Sequence, residues 1–218
     1  MAKKDKRIKL LRNLKNEGLA YTLNKCLKFA SGEYIARHDL DDISVSTRLY
    51  EELSFLQNNK QFDFVGTNIK LFNKGGVYAE RILPEQVTAN DFLFNNPFVH
   101  GSLMFRRIAL LKVLGYRDTK LTYRNEDYDL LMRLYAVQSK GYNLQKYLYL
   151  FLEDLQAQKR RKYKYRINEC YVRFCGFKKL NILWNNWIYV LKPLIVGLLP
   201  LKLLKYLQNK ICGKDVIK

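Results

Sequence analysis

The chain has 218 residues, 48% of them hydrophobic and 27% charged, with 11 glycines and 4 prolines. That length suits one domain, or one with an appendage, and excludes two full-sized ones; the composition excludes a disordered or collagen-like chain. The 39 Lys and Arg against 20 Asp and Glu leave a charge of +19, which favours a polyanionic neighbour such as nucleic acid or anionic lipid.

In chain order, residues 7–12 read as a strand on Ile8, Leu10 and Leu11. Leu19, Leu23, Cys26, Leu27 and Ala30 recur at helical spacing and predict a helix over 17–30, stopped by Ser31-Gly32. A short strand over 33–38 runs into Asp39, Asp41 and Asp42. A helix over 46–59 follows, with Leu49, Leu53 and Leu56 as its buried stripe and Ser46 as its N-cap. Residues 62–72 alternate as a strand, and Asn73-Lys74-Gly75-Gly76 reads as a hairpin turn into 77–82. Pro84 opens a predicted helix to about 95, a strand over 98–105 carries His100-Gly101-Ser102, and a short helix over 108–114 is closed by Gly115. A further helix starts near Asn125 with Asp127, Leu130, Leu131, Leu134 and Tyr135. Strands alternating with helices at this length predict an α/β fold with a mostly parallel sheet.

The rest of the chain differs in character. Residues 155–179 read as a basic helix with Tyr163, Tyr165, Tyr171, Phe174 and Phe177 interleaved, and the boundary near 154 separates a domain over 1–154 from a C-terminal segment over 155–218. Residues 180–207 are apolar but interrupted by Lys192, Pro193 and Pro200, and a spanning helix needs about 20 apolar residues with few charges. Two arrangements stay open. The segment lies in the headgroup region of an anionic membrane, with Trp184, Trp187 and Tyr189 as anchors and lysines toward the phosphates, or it forms a helical hairpin packed back on the domain. Residues 1–28 hold nine basic and two acidic side chains, 29–158 fifteen and sixteen, and 159–179 nine and one. A near-neutral body between basic ends points to docking at a surface more than to a nucleic-acid interface, which would spread its cations across the fold. A nucleic-acid module built on residues 159–179 is the competing class. The four cysteines, Cys26, Cys170, Cys175 and Cys212, lack zinc spacing and follow no secretory signal, so a reduced, cytoplasmic setting is expected.

Three clusters could carry chemistry. Arg37-His38-Asp39-Leu40-Asp41-Asp42 stands at the end of a strand, where open α/β sheets bind ligands, and its carboxylates suit Mg²⁺ or Mn²⁺; the plain alternative is an acidic turn leading into a helix. Glu126, Asp127 and Asp129 open a helix, either as dipole-stabilised caps or with one of them as a general base. In His100-Gly101-Ser102 the glycine admits a close backbone approach.

Asn16-Glu17-Gly18-Leu19-Ala20, Leu23-Asn24, Ala30 through Asp42, Arg48-Leu49, Val65-Gly66-Thr67, His100 through Arg106 and Glu126-Asp127-Tyr128-Asp129-Leu130 follow one another as in family 2 glycosyltransferases of the GT-A fold, which residues 7–150 resemble. The resemblance implies a Rossmann-like α/β domain that transfers a sugar from a nucleotide-diphosphate sugar to a lipid-linked or saccharide acceptor in cell-envelope or exopolysaccharide synthesis. It implies Mn²⁺ or Mg²⁺ on Asp39 and Asp41 with Asp42 beside them, donor contacts from Arg37, Asp39 and Asp41, and Asp127 as base with Glu126 next to it. His100, Gly101 and Ser102 would line the acceptor side, and transfer would invert the anomeric carbon. The location implied is the inner face of the cell membrane. The family's opening P-x-Y-N-like and D-D-G-S-like elements have no counterpart here, so the first β-α units are expected to be missing, in a truncated or split product that works with a separate N-terminal polypeptide or is inactive. After Tyr149 the family's Tyr-Arg pair is replaced by Leu150-Phe151-Leu152-Glu153, with Arg160-Arg161 as a partial substitute.

Overall fold

The computed structural model describes residues 5–152 and 163–198. The predicted helix near 17–30 forms as α1 (Leu19–Phe29), with Leu23 and Leu27 against the core. Residues 7–12 are not a strand: no described strand pairs with them, and the segment is tied to α1 by Asn13 Nδ2 donating to Thr22 Oγ1 at 2.7 Å and Lys25 Nζ to the Arg12 carbonyl at 2.6 Å. β1 (Tyr34–Ala36) and a two-residue β2 (Ile43–Ser44) bracket the acidic loop.

α2 (Arg48–Asn58) departs from expectation at both its start and its face. Thr47 stands at the N-cap in place of Ser46, and Leu49 is half exposed while Arg48, Glu52 and Leu56 are buried. Leu56 and Leu53 face the core as expected, and the inward face widens on the Leu49 side to take in a charged pair, Arg48 and Glu52.

β3 (Phe64–Asn73) turns tightly into β4 (Gly76–Arg81), as the Asn-Lys-Gly-Gly run predicts. The helix expected from Pro84 is a short 3-10 helix over Ala89–Leu93, started by a capping box between Thr88 and Asp91; residues just before it pair with the sheet through a Gln86–Tyr142 bridge. His100–Ser102 form a 3-10 turn, and the strand proper is β5 (Met104–Arg106). α3 (Arg107–Lys112) and α4 (Glu126–Ala136) follow, then β6 (Gly141–Leu152), where the sequence pattern named no element.

The sheet order is β1-β5-β3-β6-β2 with β4 on β3. The α/β class holds, while among the described strands β3–β6 is parallel and the other four pairings are antiparallel, so the sheet is mixed and not mostly parallel. The parallel pair has the long crossover carrying α4 that such a pair requires, β4 enters through a tight hairpin return, and β1 and β2 pair with strands far along the chain.

α5 (Lys164–Lys179) and α6 (Ile188–Leu198) form a hairpin on the body, and Val172, Phe177, Leu183 and Val190 join Phe64, Phe92, Phe105 and Leu131 in one core. A Cβ on Gly176 would fall 2.2 Å from Met132 Sδ, so the glycine lets α5 lie directly against α4. Of the two arrangements open for the C-terminal segment, the described residues take the packed hairpin; residues 153–162 and 199–218, with Arg160-Arg161, Pro200 and Cys212, lie outside the described residues. No described helix is long and apolar enough to cross a membrane. The basic helix also turns part of its charge and aromatic surface inward: Arg173 is buried and Tyr165 packs on Tyr123.

Phe177 is completely buried, so Phe177→Ala is expected to lower stability by about 3–5 kcal/mol. A chemical melt should remain a single transition, because α5 shares the core of the sheet. Separate transitions for sheet and hairpin would overturn that shared core.

Candidate active site

The acidic loop leaves β1 at Arg37. Arg37 reaches the Asp39 carboxylate and the His38 carbonyl, and Asp39 donates its backbone N–H to Tyr149 Oη at 3.2 Å. Asp41 points to solvent. Asp42 turns inward, where its carboxylate accepts the Tyr149 hydroxyl at 2.7 Å and the Leu152 N–H at 2.8 Å, and burial pushes its carboxyl above the usual range. The structure therefore gives Asp42 a structural role, pinning the loop to the end of β6, and leaves Asp39 and Asp41 as the pair available to a cation.

Arg48, 2% exposed, holds this loop from below. One guanidinium nitrogen donates to the Gly101 carbonyl and another to the Arg37 carbonyl, each at 2.9 Å, and the plane lies 5.0 Å from the Tyr149 ring centroid. The 3-10 turn is thereby drawn against the loop: a Cβ on Gly101 would fall 2.3 Å from Tyr149 Oη and 3.0 Å from Asp39 Oδ2, so only glycine fits there. Ser102, expected on the acceptor side, is fully buried and donates to the Val99 carbonyl at 2.9 Å, so it closes the turn and lines no site. His100 remains, its Nε2 2.8 Å from Tyr116 Oη. The Tyr116 backbone is gripped on both sides by the Asn24 amide, which donates to its carbonyl at 2.7 Å and accepts its N–H at 2.8 Å.

The acids opening α4 have separate roles. Asp129 is buried between Arg117 and Arg133 at 3.2 and 2.7 Å. Glu126 is buried, and burial raises its carboxyl. Asp127 is half-buried and accepts a hydrogen bond from Asn96 Nδ2 at 3.1 Å. Asp127, Arg37 and Asp39 all act electrostatically on His100 and Tyr116. Burial lowers the imidazole pKa, with Asp127 opposing it, so His100 favours its neutral form. The three clusters of the sequence thus meet around the His100–Tyr116 pair. Pattern alone singled out none of Arg48, Tyr149, Tyr116, Asn96 and Asn24; Arg48 and Asn24 lie within the segments that carry the family resemblance, which was their only signal.

The donor set suits a hard divalent cation. Asp39 and Asp41 supply carboxylate oxygens on the loop that packs against the Gly101 turn, and such an ion is commonly held by one or two carboxylates with water and substrate phosphates. Among the described residues no group of three or more His, Cys, Asp or Glu could hold a metal.

Residues 1–115 match the family described as Glycosyl transferase family 2. The chain is 38% identical over 204 residues to the putative glycosyltransferase EpsE of Bacillus subtilis, covering 94% of this chain and 73% of that one. It is 26% identical over 202 residues to an Escherichia coli UDP-Gal:alpha-D-GlcNAc-diphosphoundecaprenol beta-1,3-galactosyltransferase, covering 90% and 72%. Among solved structures, S. aureus TarS in complex with UDP-GlcNAc aligns with a TM-score of 0.60 at 15% identity, over 85% of this chain and 58% of that one. The mannosyltransferase PcManGT from Pyrobaculum calidifontis in complex with GDP-Man and Mn²⁺ aligns at 0.51 and 16%, over 93% and 61%. The chain spans about half the length of several other curated relatives. It belongs to glycosyl transferase family 2, with the α/β architecture of GT-A enzymes.

Glu52 lies under Arg48 at 3.9 Å with neither carboxylate oxygen hydrogen-bonded, and burial, opposed by Arg48, pushes its pKa up to about 8. The folded chain therefore keeps a proton that the unfolded chain releases from about 4.5, and stability falls as pH rises through that window. Glu52→Gln removes the titration. Its melting temperature is expected to gain on the unaltered chain progressively from pH 5 to pH 8, by an amount on the order of a few kcal/mol in stability. Parallel pH curves for the two proteins would show that Glu52 is ionised in the fold.

Proposed function

We propose that this chain transfers a sugar from a nucleotide-diphosphate sugar to the hydroxyl of a lipid-linked saccharide, inverting the anomeric carbon, in the synthesis of a cell-envelope or exported polysaccharide. The observation that carries this reading is the meeting of Arg37 and Asp39 with Asp127 around His100 and Tyr116. Arg37, Asp39 and Asp127, the last held by Asn96, thus all act on one histidine–tyrosine pair, which supports a donor contact and a proton acceptor working in the same site.

Asp39 and Asp41 would hold Mn²⁺ or Mg²⁺, which supplies positive charge to the diphosphate when bound. Arg37 contributes a second cation to the same oxygens. Asp127 takes the proton of the acceptor hydroxyl as its oxygen bonds to the anomeric carbon; the bond to the diphosphate oxygen breaks on the opposite face, and its electron pair leaves with the nucleotide. Neutral His100, held by Tyr116, borders the space between donor and base.

The acceptor class rests on the names of relatives that act on diphosphoundecaprenol-linked sugars, and the setting is the cytoplasmic face of the membrane. The surface of the hairpin supports that location. Ile188, Leu191, Ile195 and Leu198 are exposed at helical spacing along α6, and Trp184 (83% exposed) and Trp187 (60%) are exposed in the turn leading into it, side chains that suit an interfacial contact. Tyr189 and Lys192 do not belong to it: Tyr189 packs on Phe94, and Lys192 donates to the Phe94 carbonyl at 2.7 Å.

Calorimetric titration of UDP and GDP, each with and without Mn²⁺, tests the donor site. Metal-dependent binding of one nucleotide is expected, weakened at least about tenfold by Asp41→Ala. Asp127→Asn should keep nucleotide binding and lower turnover by about 10²–10⁴-fold. No binding by the unaltered chain would overturn the donor site, and turnover by Asp127→Asn at the original rate would overturn the base.

In co-sedimentation with vesicles, the chain is expected to bind phosphatidylglycerol more tightly than phosphatidylcholine. Replacing Trp184 and Trp187 by Ser should weaken this several-fold with an unchanged melting temperature. Undiminished binding by that variant would remove Trp184 and Trp187 from the membrane contact.

A further inference from the structure

The stretch from Phe92 at the end of the 3-10 helix to Pro97 before His100 has no backbone ladder of its own, and side chains from four other elements hold its carbonyls. The Tyr128 hydroxyl, on α4, donates to Phe92. Arg173, on α5, donates to Leu93 at 2.9 Å and to Phe94 at 3.3 Å. Lys192, on α6, donates to Phe94 at 2.7 Å, and Asn143, on β6, to Pro97 at 3.1 Å. Buried carbonyls need such partners, and here most of them come from the C-terminal hairpin.

The segment carries Asn96. Its Oδ1 accepts the Phe98 N–H at 3.2 Å, which fixes the orientation of the amide and aims Nδ2 at Asp127 Oδ2, 3.1 Å away. Arg173 also touches the helix turn that carries Asp127. Glu169 anchors it at 3.1 Å, and its guanidinium lies 5.3 Å from the ring centroid of Tyr128, the residue after Asp127. Arg173 is 2% exposed, so this is a built contact.

We propose that Asn96 is a positioning residue for Asp127, and that the α5–α6 hairpin holds Asn96 in place through the grip of Arg173 and Lys192 on Leu93 and Phe94. This deepens the proposed transfer and rests on the role given there to Asp127. With Oδ2 bound by Asn96, Oδ1 is the oxygen turned to the acceptor hydroxyl. The hairpin is then a working part of the acceptor side and not only a means of attachment.

Two readouts test this on the full chain. The first is the side-chain amide resonance of Asn96 in ¹⁵N–¹H spectra, which needs no substrate. It is expected to move on Asp127→Ala and to move likewise on Arg173→Met or, if that variant folds poorly, on Arg173→Lys, which keeps the charge and loses the two-pronged contact. A resonance unmoved by the Arg173 variants would overturn the clamp.

The second is hydrolysis of UDP-GlcNAc and GDP-mannose with Mn²⁺, in which water replaces the acceptor. Asn96→Asp retains an acceptor for the Phe98 N–H but places a carboxylate against Asp127, whereas Asn96→Ala removes both contacts. A positioning role predicts a larger fall in kcat for Asn96→Asp than for Asn96→Ala, by about tenfold or more, with nucleotide affinity and melting temperature near those of the unaltered chain. A purely structural role predicts the reverse order, Ala being the worse, and that result would overturn the assignment. If the unaltered chain hydrolyses neither donor, the transfer reading fails with its catalytic consequence, and the amide resonance alone decides whether the clamp exists.

Discussion

A single buried guanidinium joins the parts of this site. Arg48 donates to the carbonyls of Arg37 and Gly101, so one side chain holds the loop bearing Asp39 and Asp41 against the turn bearing His100. Neither segment is regular enough to satisfy those carbonyls by a ladder, and a buried unpaired carbonyl costs about as much as a lost hydrogen bond. The charge brought inside rests on the face of Tyr149, with Glu52 at 3.9 Å kept protonated by burial. A buried cation needs its hydrogen-bond partners, so these two carbonyls tie α2 to the loop after β1 and to the turn before β5.

The carboxylates show how burial allots roles within one short run. Asp42 and Asp129 are enclosed and fully engaged, Asp42 by Tyr149 and Leu152, Asp129 by Arg117 and Arg133. Their near neighbours Asp41 and Asp127 keep access to solvent, and Asp39 shares its carboxylate with Arg37. In each cluster the inward acid anchors the backbone from which the outward one projects. Rigid presentation of a half-exposed carboxylate is what positioning a cation or a proton acceptor requires.

The C-terminal hairpin faces two ways. Inward it contributes Val172, Phe177 and Val190 to the main core and two cations to the carbonyls beside Asn96. Outward it presents Trp184, Trp187 and a stripe of aliphatic side chains. In the proposed reading, a membrane contact on that face and the segment whose Asn96 bonds Asp127 would rest on the same structural element.

Periodicity and residue type determined a good deal without any coordinates: α1, α4, the β3–β4 hairpin, and the three polar clusters that the fold gathers near His100. Order along the chain was enough to mark the family resemblance. Tertiary structure alone decided which acids face in, why Gly101 must be a glycine, and that the inward face of α2 carries Arg48 and Glu52 beside Leu56 while Leu49 turns outward. It also decided the mixed sheet and the 3-10 turn at His100, where expectation placed a strand. The physical reason is common to all of these. Periodicity reports the mean preference of a side chain for water, whereas a buried arginine or a closed carboxylate depends on particular partners far away in sequence, such as Tyr149 for Asp42, and these meet only when the chain is folded.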